Sequence, residues 1–359
     1  MKAIIISRPG GSEVLEMKEL PIPEPGPGEV LVRIHAAGLN RSDIYSRKGA
    51  YGNRPVAGSV KGAGQVGGGG DAGGAADRGK VGNAGMGAVV GGMEIPGLEI
   101  AGIVEGVGVG AGPGRWKKGD AVCALVAGGG YAEYIVIDER LCLPVPPGFS
   151  FEEAASLPEA VFTVWFNVFD QAAFAAGEHF LVHGGSSGIG VMAIQMVTVL
   201  GGMAYTTAGT EEKCDFCLGL GAIMAVNYKK QDFEVELKAE GMDVILDMVG
   251  GGYTPKNLKI LRRKGRLAFI NSMQGSQSAI DIGEIMRKNL SIMGSMLKPQ
   301  PVEVKVVLAD AIRQRVWPLF ASGKIRPVIH GVFPLAEAGA AQEMMEEGKH
   351  IGKIILRTI

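Results

Sequence analysis

A glycine-rich turn is the strongest chemical signal in the sequence, because it combines the residue types that bind phosphate groups. It reads His183-Gly184-Gly185-Ser186-Ser187-Gly188-Ile189-Gly190 and joins the apolar run 179–183 to the helix-like run 191–200. Backbone amides at the start of a helix point into the preceding turn, and the helix dipole favours negative charge there. Glycines allow a phosphate to approach the backbone closely. The pattern therefore predicts a nucleotide pyrophosphate as ligand.

The same segment also fits the pattern G-x-S-x-G, in which a serine on a strand-to-helix turn acts as the nucleophile of an α/β-hydrolase. That interpretation makes Ser186 the nucleophile and needs an acid and a histidine later in the chain. The later histidines are His330 and His350, and the β-rich N-terminal part does not suit a hydrolase. We keep the hydrolase as the weaker alternative.

The end of the second predicted strand, Thr207-Ala208-Gly209-Thr210, carries no carboxylate. A site that prefers NAD places Asp or Glu there to bind the ribose hydroxyls. Lys213 lies in the following helix and Tyr228 follows the third strand. Glu211 and Glu212 come directly after Thr210, but they fall in the first turn of the following helix, where acids stabilise the helix dipole. The missing acid at the strand end, the hydroxyl groups and the nearby cations suit a ribose 2′-phosphate, and thus NADPH. The alternative for Lys213 is an ordinary solvated lysine on a helix surface.

From residue 151 onwards, apolar strand-like runs alternate with helical runs. The predicted strands are 179–183, 203–207, 224–227, 243–249 and 266–271, and the predicted helices are 188–200, 211–220, 232–240 and 254–261. This alternation is typical of an α/β fold with a doubly wound parallel Rossmann sheet. Ligands of such sheets bind at the carboxyl ends of the strands, where the glycine-rich turn lies.

The chain before residue 148 is β-rich and predicts a small barrel or sandwich. Its strand candidates are 1–6, 30–36, 99–106, 120–126 and 131–137, whereas the C-terminal tail predicts helices at 304–320 and 335–346 and a strand at 353–356. Residues 52–92 are glycine-rich and contain no aromatic residue. Such a segment buries too little apolar surface to offset its ordering entropy, so we predict a disordered surface insertion, with a glycine-rich lid as the alternative.

Composition narrows the class of protein further. The chain has 359 residues, 47% hydrophobic and 20% charged, which suffices for two domains with cores of their own. A net charge of −1 gives no electrostatic case for binding nucleic acid or a membrane surface. Four cysteines argue against a disulfide framework and favour a reducing compartment. We expect a cytoplasmic protein.

Several segments, in this order, resemble a known family. They include "EVLVRIHAAGLNRSDIYSRKGAYG", "IPGLEIAGIVEGVGVG", "AASLPEAVFTVWFNVF", "FLVHGGSSGIGVMAIQM", "DVILDMVGG" and "HIGKIIL". Together they resemble the zinc-independent medium-chain dehydrogenases/reductases, in the branch of the NADPH:quinone oxidoreductases similar to zeta-crystallin. The resemblance implies an N-terminal GroES-like β-barrel domain at 1–148, a Rossmann domain at 149–297 and a C-terminal return to the first domain at 298–359.

The resemblance also implies site residues. Asn40 and Leu98 occupy positions where zinc-dependent relatives carry ligands, and the cysteines of the structural zinc lobe are absent, so we expect no metal. Cys214-x-x-Cys217 could be a redox pair or half of a metal site, but it lies in a predicted helix and the sequence has no second pair of ligands. We therefore expect neither role. The chain departs from the family at His350, just before Ile351-Gly352-Lys353, where many relatives have Asn. A neutral histidine can also donate and accept hydrogen bonds, but its reach differs from that of asparagine, so we do not assign it a contact with the nicotinamide. The expected NADPH contacts are Thr163, Gly185, Ser186, Ser187, Gly188, Ile189, Gly209, Thr210, Lys213, Tyr228, Val249, Gly250 and Asn271.

The implied activity is metal-free transfer of hydride from NADPH to a quinone, with Asn40, Tyr45 and Tyr51 as donors or stacking groups in the substrate cleft. Each of these three is equally open to a structural role in its loop. An enone or enal reductase is an alternative, with Tyr45 or Tyr51 as proton donor, and a non-catalytic NADPH-binding protein is another. The family implies a homodimer, for which the β-prone run 290–297 is the candidate edge.

Overall fold

The computed structural model describes residues 1–49, 89–90, 93–108 and 114–358, and within them the chain forms three sheets with helices packed around them. The strands are β1 Lys2–Ile6, β2 Leu15–Glu19, β3 Glu29–Gly38, β4 Val89–Val90, β5 Met93–Glu94, β6 Glu99–Val107, β7 Ala121–Leu125, β8 Tyr134–Asp138, β9 Cys142–Pro144, β10 His179–His183, β11 Met203–Ala208, β12 Met224–Asn227, β13 Met242–Asp247, β14 Leu261–Phe269, β15 Ser291–Gly294, β16 Ile329–Pro334 and β17 Lys353–Arg357.

The helices surround these sheets. They are α1 Arg41–Arg47, α2 Phe151–Ala155, α3 Pro158–Val164, α4 Gly188–Val199, α5 Glu211–Gly219, α6 Phe233–Leu237, α7 Tyr253–Ile260, α8 Ile282–Lys288, α9 Val302–Arg315, α10 Trp317–Ala321 and α11 Ala338–Glu347. A π-helical segment, Trp165–Gln171, continues α3.

The six-stranded sheet has the order β12-β11-β10-β13-β14-β15, and all its pairs are parallel. Its central strand β10 is apolar on both faces because helices cover both. Phe180 and Val182 pack into one hydrophobic core with α4, whereas Leu181 packs into a second core on the opposite face. This is the side-chain alternation expected of a strand. The predicted α/β class with a doubly wound Rossmann sheet is confirmed.

A larger sheet, ordered β16-β17-β3-β6-β7-β9 with β8 also paired to β3, forms the barrel part of the molecule. Strand β3 alternates partly exposed and buried residues along most of its length, as a strand with one core face does. The C-terminal strand β17 pairs antiparallel with β3, with Ile355 opposite Gly38. This pairing brings the start of β17 next to Asn40, from more than three hundred residues away in sequence.

Some predicted boundaries were wrong. The predicted helix 304–320 is two helices, α9 and α10, because Pro318 has no backbone N–H to continue the ladder. The predicted helix 232–240 is reduced to Phe233–Leu237, and the strand predicted at 266–271 begins at Leu261 and ends at Phe269. The strand predicted at 131–137 is Tyr134–Asp138.

The first part of the chain also contains a helix that was not predicted, α1. Its signal was present in the sequence, because Asn40 and Asp43 form a reciprocal capping box at its start. Of the insertion predicted at 52–92, the structure describes only Val89 and Val90, which form β4. The remainder of that prediction lies outside the described residues. Among the helices of the described part, none is long and apolar enough to cross a bilayer.

Candidate functional site

The glycine-rich turn links β10 to α4 and depends on glycine for close packing. A Cβ at Gly190 would lie 2.4 Å from the carbonyl oxygen of Gly184, and one at Gly185 would lie 2.1 Å from Oγ1 of Thr206. Neither position accepts a side chain without displacing its neighbours. The hydroxyl of Ser187 accepts from the backbone N–H of Gly190 at 3.1 Å and so caps the helix.

A cavity of about 440 Å³ opens beside this turn, between the Rossmann sheet and the barrel. More cationic side chains than carboxylates line it. The described ionisable side chains that line it are five basic residues, three tyrosines and a single carboxylate. They are Arg41, Lys213, Lys298, His350 and Lys353, then Tyr45, Tyr228 and Tyr253, and finally Glu159. A site with this composition favours an anionic ligand such as a phosphate.

Lys213 and Tyr228 both line the cavity near the end of β11. A Cβ at Gly209 would lie 2.7 Å from the Tyr228 hydroxyl, so this glycine permits the tyrosine to approach the strand end. The Lys213 ammonium donates to the carbonyl oxygen of Gly348 at 2.7 Å, and burial lowers its pKa. Because an ammonium has three N–H donors, hydrogens remain for a further acceptor. Thr210 accepts from the Lys213 backbone N–H at 3.2 Å and caps α5.

His350 lines the same end of the cavity. Burial, followed by the charges of Lys213 and Arg41, lowers its pKa to about 4, so the imidazole is neutral near pH 7. Its Nδ1 is buried and has no hydrogen-bond partner among the described residues. A buried polar atom without a partner is costly unless a ligand satisfies it. Together with the glycine turn, this orphaned atom fits a bound dinucleotide.

A buried polar network supports the strand ends beneath the cavity. His183 contacts Oγ1 of Thr207 through Nδ1 at 3.1 Å and Oδ1 of Asn257 through Nε2 at 2.8 Å. The Asn257 amide donates to Asp247 at 2.9 Å, so its oxygen is the acceptor that faces His183. The imidazole therefore carries its proton on Nε2. Asp247 also accepts from the backbone N–H groups of Val249 and Gly250, at 2.6 and 3.1 Å, which fixes the loop after β13.

Asn40 lies in a second buried network, beside the ends of β3, β6 and β17 in the barrel sheet. The Lys353 ammonium forms an ion pair with Glu99 and donates to Oδ1 of Asn40 at 2.8 Å. A further donation, to the carbonyl oxygen of Leu39 at 2.8 Å, occupies its third hydrogen. The Asn40 amide nitrogen donates to Glu99 at 3.0 Å. Asn40 therefore lines the cavity with its N–H groups already engaged by the protein.

Glu159 lies beside this network, in the first turn of α3. Its backbone N–H donates to Glu99 at 2.8 Å, whereas its side chain has no hydrogen-bond partner within the described residues. Burial, and then the negative charge of Glu99, raises its pKa to about 8. The Glu159 carboxyl group is therefore mostly protonated at pH 7. Thr163, one turn later on α3, also lines the cavity.

The expected site residues divide into three groups. Those that line the cavity are Asn40, Tyr45, Thr163, Ser186, Ser187, Gly188, Ile189, Lys213, Tyr228, Val249 and Asn271, with the Asn271 amide donating to the Tyr45 hydroxyl at 3.4 Å. Gly185, Gly209, Thr210 and Gly250 lie behind this lining and shape the backbone. Tyr51 lies outside the described residues.

Sequence reasoning missed Glu99, Glu159 and Lys353 as members of the site. The signal was a charged residue inside an apolar run, in "GLEIAG", "LPEAV" and "IGKII". Such residues are rarely buried without a partner or a function. The surroundings of Asn40 and Leu98 do not fit a zinc ion, since leucine has no ligand atom and no group of three His, Cys, Asp or Glu side chains among the described residues could hold a metal.

The fold and the site define a two-part oxidoreductase with a dinucleotide site, and comparisons with known proteins agree. The alcohol dehydrogenase GroES-like domain matches residues 26–90 and 78–147, and the zinc-binding dehydrogenase family matches residues 220–356. The quinone oxidoreductase of Sus scrofa is 30% identical over 365 residues, covering 99% of this chain and 97% of that protein.

Solved structures show the same relationship. The quinone oxidoreductase of Thermus thermophilus, which was also solved with NADPH, is 30% identical with a TM-score of 0.78, and each chain is covered completely. An NAD-dependent alcohol dehydrogenase is 28% identical with a TM-score of 0.77, also over both whole chains. The chain belongs to the medium-chain dehydrogenase/reductase family, in its quinone oxidoreductase branch. It is an oxidoreductase with a nicotinamide cofactor and a small-molecule substrate.

Proposed function

We propose that the protein is an NADPH-dependent quinone oxidoreductase. The observation that carries this proposal is that Lys213 and Tyr228 both line the cavity near the end of β11, whereas the single carboxylate of the described lining, Glu159, lies on α3. Lys213 and Tyr228 would hold the 2′-phosphate, and Gly209 and Thr210 would shape that pocket. Charge-assisted contacts to a phosphate are stronger than neutral hydrogen bonds, so they favour NADPH over NADH.

The other residues of the site would contact the pyrophosphate and the nicotinamide of the cofactor. The turn from Gly185 to Ile189 would hold the pyrophosphate at the start of α4, where the helix dipole favours it. Thr163, Val249, Gly250 and Asn271 would border the nicotinamide, in line with their positions at the ends of β13, β14 and α3. When bound, the cofactor supplies the hydride, and the protein positions the acceptor and excludes water.

The acceptor would lie between the nicotinamide and the barrel, where Asn40 and Tyr45 face the cavity. Because Lys353 donates to one lone pair of the Asn40 oxygen, Asn40 acts chiefly as a rigid wall of the cleft. The Tyr45 hydroxyl accepts from the Asn271 amide at 3.4 Å. This placement also favours the second candidate, an enone or enal reductase in which Tyr45 protonates the α-carbon. Tyr51 stays a prediction for either reaction.

Oxidation of NADPH by a panel of ortho- and para-quinones, enones and enals tests the choice of acceptor. We expect quinones to give the highest kcat/KM, because a quinone accepts hydride without needing a precisely placed proton on carbon. Turnover that is confined to enones and enals would contradict the quinone reductase and support the enone or enal reductase. Binding of NADPH without turnover of any acceptor would contradict both and indicate a binding protein.

We also propose a homodimer that forms through strand β15. Within the described residues β15 pairs only with β14, and apolar side chains lie exposed on and beside it: Ile292 is 39%, Met296 53% and Met286 75% exposed. An uncovered edge strand with apolar neighbours is a template for pairing with a second copy. Light scattering should give twice the chain mass of 37.5 kDa, and Ile292→Lys should shift it towards the monomer. A wild-type monomer mass would reject the dimer.

A further inference from the structure

The cavity contains one acidic side chain, Glu159, that has no role in the proposed binding of the cofactor and the acceptor. Glu159 is the only carboxylate among its described lining residues, and no described group forms a hydrogen bond with the Glu159 side chain. It shares a face of α3 with Thr163, because residues four apart lie one above the other on a helix. At a rise of about 1.5 Å per residue, the two lie about 6 Å apart along the axis.

This position is between the two parts of the site. Thr163 borders the proposed nicotinamide position, whereas Glu159 lies towards Asn40 and Leu98, which line the barrel side of the cavity. A substrate that accepts hydride near Thr163 would therefore present its reduced end to Glu159. The side chain is not sealed in the core, since it borders a cavity that is continuous with solvent.

Neighbouring charges do not hold Glu159 as a carboxylate. The ionisable groups around it are Glu99 on β6, Asp43 on α1, Lys353 on β17 and Lys305 on α9. The three hydrogens of Lys353 are taken by Glu99, Asn40 and the Leu39 carbonyl, and Lys305 donates to the carbonyl oxygen of Lys298 at 2.8 Å.

Two further features could have favoured the carboxylate and do not. The backbone N–H of Glu159, at the start of α3, donates to Glu99. This helix terminus therefore stabilises the carboxylate of Glu99 and not that of Glu159. Lys298, which also lines the cavity, forms an ion pair with Glu94 at 3.1 Å. A raised pKa of about 8 follows from burial and from the charge of Glu99, and it places a transferable proton in the cavity at neutral pH.

We propose that Glu159 is the proton donor to the reduced acceptor, a role that rests on the proposed quinone reductase function. Hydride transfer leaves the quinone as an anion with its charge on oxygen. The O–H bond of Glu159 breaks as the new O–H bond of the hydroquinone forms, and the Glu159 carboxylate then takes a proton from water. The sum is NADPH, a proton and a quinone giving NADP⁺ and a hydroquinone, so atoms and electrons balance.

Glu159→Gln tests this role, because it keeps the shape and polarity of the side chain and removes the acid. We expect kcat to fall about 100-fold with quinones whose hydroquinones are weak acids, and much less with quinones whose hydroquinone anions are stable. The wild-type rate should fall as pH rises through about 8, and the variant should lose this dependence. Glu159→Asp keeps an acid one methylene further back and should retain part of the rate. Glu236→Gln, at an exposed position on α6, is the matched control.

A readout that is independent of activity is the pH dependence of unfolding. Between pH 4.5 and about 8, folded Glu159 keeps a proton that the unfolded chain has lost, so wild-type stability should fall across this window. Glu159→Gln should lack that fall. Equal kcat values for wild type and Glu159→Gln with every quinone would overturn the donor role while leaving the quinone reductase intact. A wild type that reduces no quinone would overturn the proposed function, and the donor role with it.

Discussion

Lys353→Met should lower the free energy of unfolding by about 3–5 kcal/mol, the cost of leaving one member of a buried ion pair without its partner. The Lys353 side chain is 8% exposed and that of Glu99 is fully buried. Without the ammonium, Glu99 keeps only its contacts with the Asn40 amide and the Glu159 backbone N–H, and it remains a buried anion. Denaturant unfolding followed by circular dichroism measures the loss.

Lys349→Met provides the matched control. Lys349 pairs with Glu347 at 3.0 Å, but the two side chains are 81% and 56% exposed, so this substitution should change stability by less than about 1 kcal/mol. The double variant Lys353→Met/Glu99→Gln removes both charges and should lose less than the sum of the two single variants. If Lys353→Met costs no more than Lys349→Met, the buried ion pair between β6 and β17 does not stabilise the fold.

Lys213→Ala should weaken NADPH binding about 10- to 100-fold, which corresponds to about 1.5–3 kcal/mol for a hydrogen bond to a charged group. NADH binding should change little, because NADH has no 2′-phosphate for the ammonium to contact. The enhancement of nicotinamide fluorescence on titration measures both dissociation constants without any acceptor.

Lys238→Ala, at an exposed position beyond α6, should leave both constants unchanged. Added salt should reduce the wild-type preference for NADPH, since an exposed ion pair is screened. An equal loss of NADH and NADPH binding in Lys213→Ala would mean that the lysine supports the fold of the site through its contact with Gly348, and does not recognise the 2′-phosphate.

The predictions made from the sequence were most accurate for elements whose structure depends on short-range patterns. The β10 strand, the glycine turn and α4 lie within two dozen residues, and the turn chemistry of Gly190 and Ser187 is local. The Rossmann class was confirmed for this reason. The break at Pro318 and the capping box of α1 are equally local signals, so the sequence itself carries the information for both elements.

The interior of the site could not be predicted from sequence in the same way. Glu99 and Lys353 are separated by 254 positions, and their contact exists only because β17 pairs with β3. The raised pKa of Glu159 depends on burial and on Glu99, neither of which a sequence pattern reports. Asn40 is predicted from sequence as a donor or stacking group in the substrate cleft. In the structure its amide N–H groups donate to Gly38 and Glu99, and its oxygen accepts from Lys353, which lies more than three hundred positions away.

A single-turnover experiment without oxygen tests the central claim, which is direct transfer from NADPH to a quinone in this cavity. The enzyme is loaded with NADPH, mixed with one equivalent of quinone, and followed by nicotinamide absorbance and hydroquinone yield, and then repeated with NADH at the same low concentration. We predict one hydroquinone per NADPH and a rate with NADH that is lower by about tenfold or more. Loss of NADPH without hydroquinone, no loss at all, or equal rates with the two cofactors would contradict the account.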